Sequence, residues 1–165
     1  MNTVAPFVAR TITTGLLAAA ASALAAAAGG RMFKGKALAP LNAVSHIAWG
    51  GTPPAHAGRG ARNTLVGTAL HTGAALFWAG GFEALFGRAA RRSPASAVMG
   101  ATTTSAVAFV TDYYLMSRRL QPGYEKYLSR RGLFAVYAAL AVGMAAGAAV
   151  NRWNAEDVSD ARGAR

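Results

Sequence analysis

The chain has 165 residues, 53% of them hydrophobic and 14% charged, where a soluble domain carries about a quarter charged residues. It has no cysteine, which excludes disulfides, thiolate metal sites and a cysteine nucleophile. The formal net charge is +11, from 17 Lys and Arg against 6 Asp and Glu. Because these basic residues flank apolar runs, they read as topology signals and contacts to a lipid bilayer with anionic headgroups, and no nucleic acid partner is expected.

Residues 11–28 form an uncharged run of 18, half of them alanine, preceded by Arg10. Two readings stand: a first membrane helix over about 8–28, or a signal peptide cleaved at the Ala-x-Ala sites near Ala25 to Ala28. The apolar centre is long for a signal and Arg10 lies late, which favours a retained helix. Its small residues would let neighbouring helices approach closely, and Gly29 and Gly30 predict its end. The segment 31–63 then carries Arg31, Lys34, Lys36, Arg59 and Arg62 and no acid. Inside it, 37–51 is apolar but too short to span. Pro40 suits a helix start, and Gly50-Gly51 with Pro53-Pro54 suits a stop. A short interfacial or re-entrant helix is therefore expected near 41–49, with Asn42, Ser45, His46 and Trp49 on one face.

The second span covers about 65–86 and carries two ionisable groups, His71 and Glu83. An ionisable side chain inside a membrane helix usually marks a partner or a pathway. A basic turn, GRAARRSP, follows, with Pro94 placed to begin a third span over about 95–115. The middle of that span holds Thr102, Thr103, Thr104 and Ser105, and Asp112 lies near its end before Tyr113 and Tyr114. Residues 117–132 hold Arg118, Arg119, Lys126, Arg130 and Arg131 with Glu125 as their acid; a turn at Pro122-Gly123 and a short amphipathic surface helix are expected there. The fourth span, about 133–150, contains Gly143 and Gly147 in a GxxxG arrangement. Residues 151–165 form a polar tail, expected to be disordered at its end.

The expected fold is thus an all-α membrane protein: four transmembrane helices in a compact bundle, plus the short helix near 41–49, in one domain over 1–150. Four spans put both termini on one side. The two long loops on the other side hold ten Lys and Arg, against seven elsewhere, so the basic loops are expected to face the cytoplasm. Arg31, Lys34, Lys36, Arg118, Arg119, Lys126, Arg130 and Arg131 are the candidate headgroup or partner contacts.

The short second turn makes the second and third helices antiparallel neighbours. Counting about 1.5 Å per residue puts His71 and Asp112 at similar depth, with His46, Asn42, Ser45, His56 and the tyrosines toward the same end. A His71–Asp112 pair beneath His46 could shuttle protons or sense pH. The plainer reading has Asp112 pairing with Arg118 or Arg119 and His71 bonding a threonine. Histidine and carboxylate also suit zinc or non-haem iron, but no HExxH or paired-histidine spacing demands a metal, and none is assigned, nor any cofactor or catalytic residue. Glu83 is expected near the headgroups beside Arg88. A sharper alternative makes it path-lining together with Thr68 and Thr103.

With PLNAVSHIAWG, the later DYYLMSRRLQPGYE and the Gly/Ala-rich last helix, the chain resembles small uncharacterised bacterial polytopic inner-membrane proteins. The resemblance implies membrane location and helix count, and no activity. The expected role is non-enzymatic: an accessory, structural or stress-related component of the inner membrane. The first alternative is a transporter or channel subunit for a small solute or protons, using His71 and Asp112. Four spans enclose little volume, so that reading requires a homo-oligomer. The second alternative is a metal-dependent membrane enzyme using His46, His71 and Asp112.

Overall fold

Small residues decide how the helices meet. In the computed structural model, which describes residues 4–51 and 60–163 and side chains through Asn154, every regular element is helical and no strand occurs among the described residues. Helix α1 runs Val4–Lys34, α2 Ala39–Val44, α3 His46–Trp49, α4 Ala61–Leu85, α5 Gly87–Arg92, α6 Pro94–Val110 and α7 Arg130–Gly163. A π turn, Thr111–Leu115, extends α6, and a single 3-10 turn, Tyr124–Lys126, precedes α7. His56 and Arg59 lie outside the described residues.

Helices α1 and α7 form the most extensive packed pair of the bundle. One side of α1 carries Thr14, Ala18 and Ser22, the next Gly15, Ala19 and Ala26, and all six are buried. Helix α7 packs antiparallel against it through Gly143 and Gly147. A Cβ on Gly143 would stand 2.5 Å from the Ala18 Cα, and one on Gly147 the same distance from the Thr14 Cα. Only glycine permits backbones this close, so the GxxxG pair is a helix contact. Helix α4 packs on the other flank, with Leu76 against Gly15. Helix α6 packs on α7, where the Ser105 hydroxyl donates to the Tyr137 carbonyl at 2.6 Å, and near the α4–α6 connection, where Phe86 lies over Gly100.

The helix ends follow local chemistry, with four departures from the sequence reading. Helix α1 does not stop at Gly29-Gly30. Those glycines instead make room for Leu128 and Pro40, and Gly35, at φ +66°, ends the helix in the left-handed conformation that glycine tolerates. The segment near 41–49 is two short helices broken at Ser45, whose hydroxyl bonds the Asn42 carbonyl at 2.8 Å. The basic turn after α4 is itself helical, as α5. Helix α7 continues through the polar tail to Gly163. Pro94 does open α6, with the Ser93 side chain accepting from the Ser96 amide. Gly123, at φ +80°, makes the expected turn at Pro122-Gly123, and the surface helix expected after it is one 3-10 turn.

Two of the helices, α1 and the Arg130–Asn154 part of α7, are long and apolar enough to cross a membrane. Helix α6 has 17 residues before its π turn, short by itself of the roughly 20 a bilayer needs, and the five residues of that turn, Thr111–Leu115, extend it. Helix α4 is long enough at 25 residues but is diluted by Arg62, His71, Glu83 and several threonines.

Candidate functional site

Helix α4 carries two buried polar centres at opposite ends. At the first, His71 faces α1 and the 3-10 turn. Its Nε2 lies 3.1 Å from the Ala19 carbonyl oxygen and 3.1 Å from the Ser22 hydroxyl, and its Nδ1 lies 2.7 Å from the Tyr124 hydroxyl. A neutral ring fits this set: Nε2–H donates to the carbonyl, and Nδ1 accepts from the phenol. The Ser22 hydroxyl donates to the Ala18 carbonyl at 2.7 Å, which leaves its oxygen free to accept a share of the imidazole N–H. Burial, with a smaller contribution from the charge of Asp112, pushes the Tyr124 phenol above its ordinary value, so it stays protonated and donates.

The second centre is Glu83, whose side chain is 1% exposed. Its Oε2 pairs with Arg91 of α5 at 2.9 Å and lies 3.9 Å from Arg10 of α1. Its Oε1 accepts from the Thr14 hydroxyl at 2.8 Å and from the Asn151 amide at 3.2 Å. The same amide group reaches the Arg10 carbonyl at 3.3 Å. One carboxylate thus joins α1, α4, α5 and α7. Burying a carboxylate is tolerable only when it is paired and its lone pairs are satisfied, and both conditions hold. The sequence expectation of a boundary residue beside Arg88 is corrected: Arg88 is exposed, and the partners are Arg91 and Arg10.

The other candidate residues are dispersed. His71 and Asp112 are not hydrogen-bond partners. Asp112, in the π turn, accepts from the Tyr137 hydroxyl at 2.7 Å, and among the described residues it makes no ion pair with Arg118 or Arg119. His46 is buried in the α2–α3 pair, with Nδ1 bonded to the Ala43 carbonyl at 2.7 Å and Nε2 without a partner among the described residues. Asn42 ties α2 to α4 by accepting from the Thr64 hydroxyl at 2.8 Å. Ser45 is buried beside it, whereas Trp49 is exposed with Arg62 stacked over its ring at 4.0 Å. Thr68 and Thr103 lie on the outer surface, so they line no path inside a single chain. No three His, Asp or Glu side chains gather as metal ligands among the described residues. The basic candidates Arg31, Lys34, Lys36, Arg118, Arg119, Lys126, Arg130 and Arg131 are all exposed.

Sequence reasoning missed Thr14, Arg10, Arg91 and Asn151 around Glu83, Ser22 beside His71 and Tyr137 beside Asp112, and it placed Tyr124 at the His71 end without naming it as a partner. Ser22 had a signal: it is the hydroxyl that interrupts the alanine run 18–28. Asn151 also had one, as an amide directly after the fourth apolar run. No protein-family model matches the chain, and neither a curated protein nor a solved structure is significantly similar to it.

Proposed function

We propose that this chain is an integral membrane protein whose four long helices all cross the bilayer, and that its role is non-enzymatic: an accessory, structural or stress-related component of a bacterial inner membrane. One observation carries the reading. The bundle buries many polar and small side chains along with a few large ones such as Phe82 and Met144, and leaves many large apolar side chains outside. Thr14, Ser22, His71, Glu83, Ser105 and Asn151 are buried, while Leu24, Leu65, Phe77 and Phe134 are each more than 70% exposed. In water this arrangement would forfeit most of the hydrophobic drive for folding. In a bilayer it is the expected solution, because lipid covers the large apolar side chains and the helices associate through close packing and internal hydrogen bonds. The shorter α6 and the polar α4 are then carried across by their neighbours, since α4 hides His71 and Glu83 against α1.

A non-enzymatic role agrees with the chemistry of the interior. The polar groups of both centres on α4 are engaged with one another and with backbone carbonyls, which serves assembly. Helix α1 is retained in this reading and not cleaved as a signal, because it supplies partners to both centres. The basic loops, on the side of the His71 end, face the cytoplasm.

The absence of cysteine makes the test direct. Single-cysteine variants Lys36→Cys, Lys126→Cys and Arg88→Cys are probed in intact cells and inverted vesicles with an impermeant maleimide, alongside alkaline carbonate extraction. The expected result is full-length protein in the carbonate-resistant pellet, labelling of positions 36 and 126 only in inverted vesicles, and labelling of position 88 only in intact cells. Release by carbonate, or a mass lacking α1, would overturn the reading.

A further inference from the structure

The outer face between α6 and α7 is a groove of about 1330 Å³, larger than the roughly 300–1,000 Å³ of a drug-sized ligand's cleft. Its walls are apolar for most of their length, formed by Val98, Phe109, Phe134 and the alanines between them. From Val98 to Tyr113 it follows 15 residues of helix, about 22 Å at 1.5 Å per residue. One leaflet of a bilayer is about 15 Å of hydrocarbon, half of a core roughly 30 Å thick. The groove therefore accommodates an acyl chain from its mouth inward over a full leaflet.

The mouth, at the loop end, is where charge enters. Glu125 and Arg130 both line it, and both are exposed. The ion pairs among the described residues are both made by Glu83, so Glu125 and Arg130 leave one negative and one positive group unpaired on the same rim. Both are therefore available to a ligand in the groove that carries both signs. Tyr113 forms part of the wall near that end.

We propose that this groove binds one ethanolamine phospholipid of the surrounding bilayer. Arg130 holds its phosphate, Glu125 holds its ammonium group, and an acyl chain lies along the groove. The basic loops attract anionic headgroups without discrimination; the rim of this groove favours the zwitterion because an anionic glycerol headgroup offers Glu125 neutral hydroxyl donors and no cation, a weaker match than an ammonium group. The proposal rests on the membrane reading above.

The test uses the full chain, purified in mild detergent with equimolar ethanolamine and glycerol phospholipids of identical acyl chains, and read by native mass spectrometry. The expected result is a one-to-one adduct favouring the ethanolamine lipid by roughly fivefold, the upper end of what an exposed charge pair supplies. Glu125→Gln removes that preference while keeping total adduct. Arg130→Gln lowers both adducts. Lys126→Gln, an exposed charge outside the groove, changes neither. Equal adducts in the unsubstituted chain would overturn the proposal, as would a preference that survives Glu125→Gln, or a dimer free of lipid. Carbonate extraction separates the two failures. A chain that stays in the pellet yet shows no preference defeats this proposal alone, and a chain released by carbonate defeats the membrane reading with it.

Discussion

The two ends of α4 solve the same problem with different chemistry. At Glu83, a full charge is buried and answered by two arginines, a hydroxyl and an amide drawn from three other helices. At His71, a ring that fits its surroundings as a neutral group is answered by a carbonyl, a hydroxyl and a phenol. The first arrangement is costly to break and ties many elements together. The second is cheaper and ties α4 to α1 and to the loop before α7. A buried charge needs converging partners, whereas a neutral donor–acceptor ring can be satisfied by the backbone it happens to face.

The largest test of this contrast is Glu83→Ala, which leaves Arg10 and Arg91 without their acid. We expect a loss of about 3 kcal/mol in detergent unfolding, the lower end for breaking a buried pair, because both arginines keep partial access to solvent. A loss no greater than that of His71→Ala would remove the distinction between the ends. Next comes Gly143→Ala, whose new methyl would meet α1 backbone; overpacking of this kind costs about 2 kcal/mol. Gly132→Ala, where the nearest atoms stand 3.5 Å away, is the control and should be tolerated.

Gly87→Ala probes the Glu83 end without removing a charge, since its methyl would meet Oε2 at 2.5 Å. A loss of about 1 kcal/mol is expected, and it should shrink when Glu83 is already Ala. At the other end, His71→Ala and Tyr124→Phe should be non-additive by about 1 kcal/mol, the size of one hydrogen bond. His71→Ala and Asp112→Ala should couple by less than that, because they share no hydrogen-bond partner and only the Asp112 charge felt at Tyr124 links them; coupling as large as in the first cycle would show that the two side chains meet. The smallest effect belongs to Thr68→Val and Thr103→Val, expected within about 0.5 kcal/mol at these outward positions.

Much of the bundle was legible along the chain. The four long helices, the opening of α6 at Pro94 and the turn at Pro122-Gly123 all follow from local signals, because apolar runs, proline and glycine act on their own neighbourhood. The candidate site was legible in part. His71, Glu83 and Asp112 stood out as ionisable groups in apolar surroundings, but their partners did not. Depth can be counted at about 1.5 Å per residue, yet each residue also turns about 100° around the axis, and the facing side depends on which neighbour packs there. Asp112 adds a second reason. It sits in a π turn whose Met116 amide reaches back to the Thr111 carbonyl, and an i→i+5 turn changes the phase of every side chain after it.

The sequence by itself therefore determined that this is a helical chain with its polar groups at two levels, since composition and spacing are properties of the chain alone. Only the tertiary structure decided that Glu83 pairs with Arg91 and Arg10 and not beside Arg88, that His71 bonds Tyr124 while Asp112 bonds Tyr137, and that Gly29 and Gly30 are contact surfaces within a longer helix. In each case the choice depends on the rotation of one helix against another, which close glycine and alanine packing sets and no single segment carries.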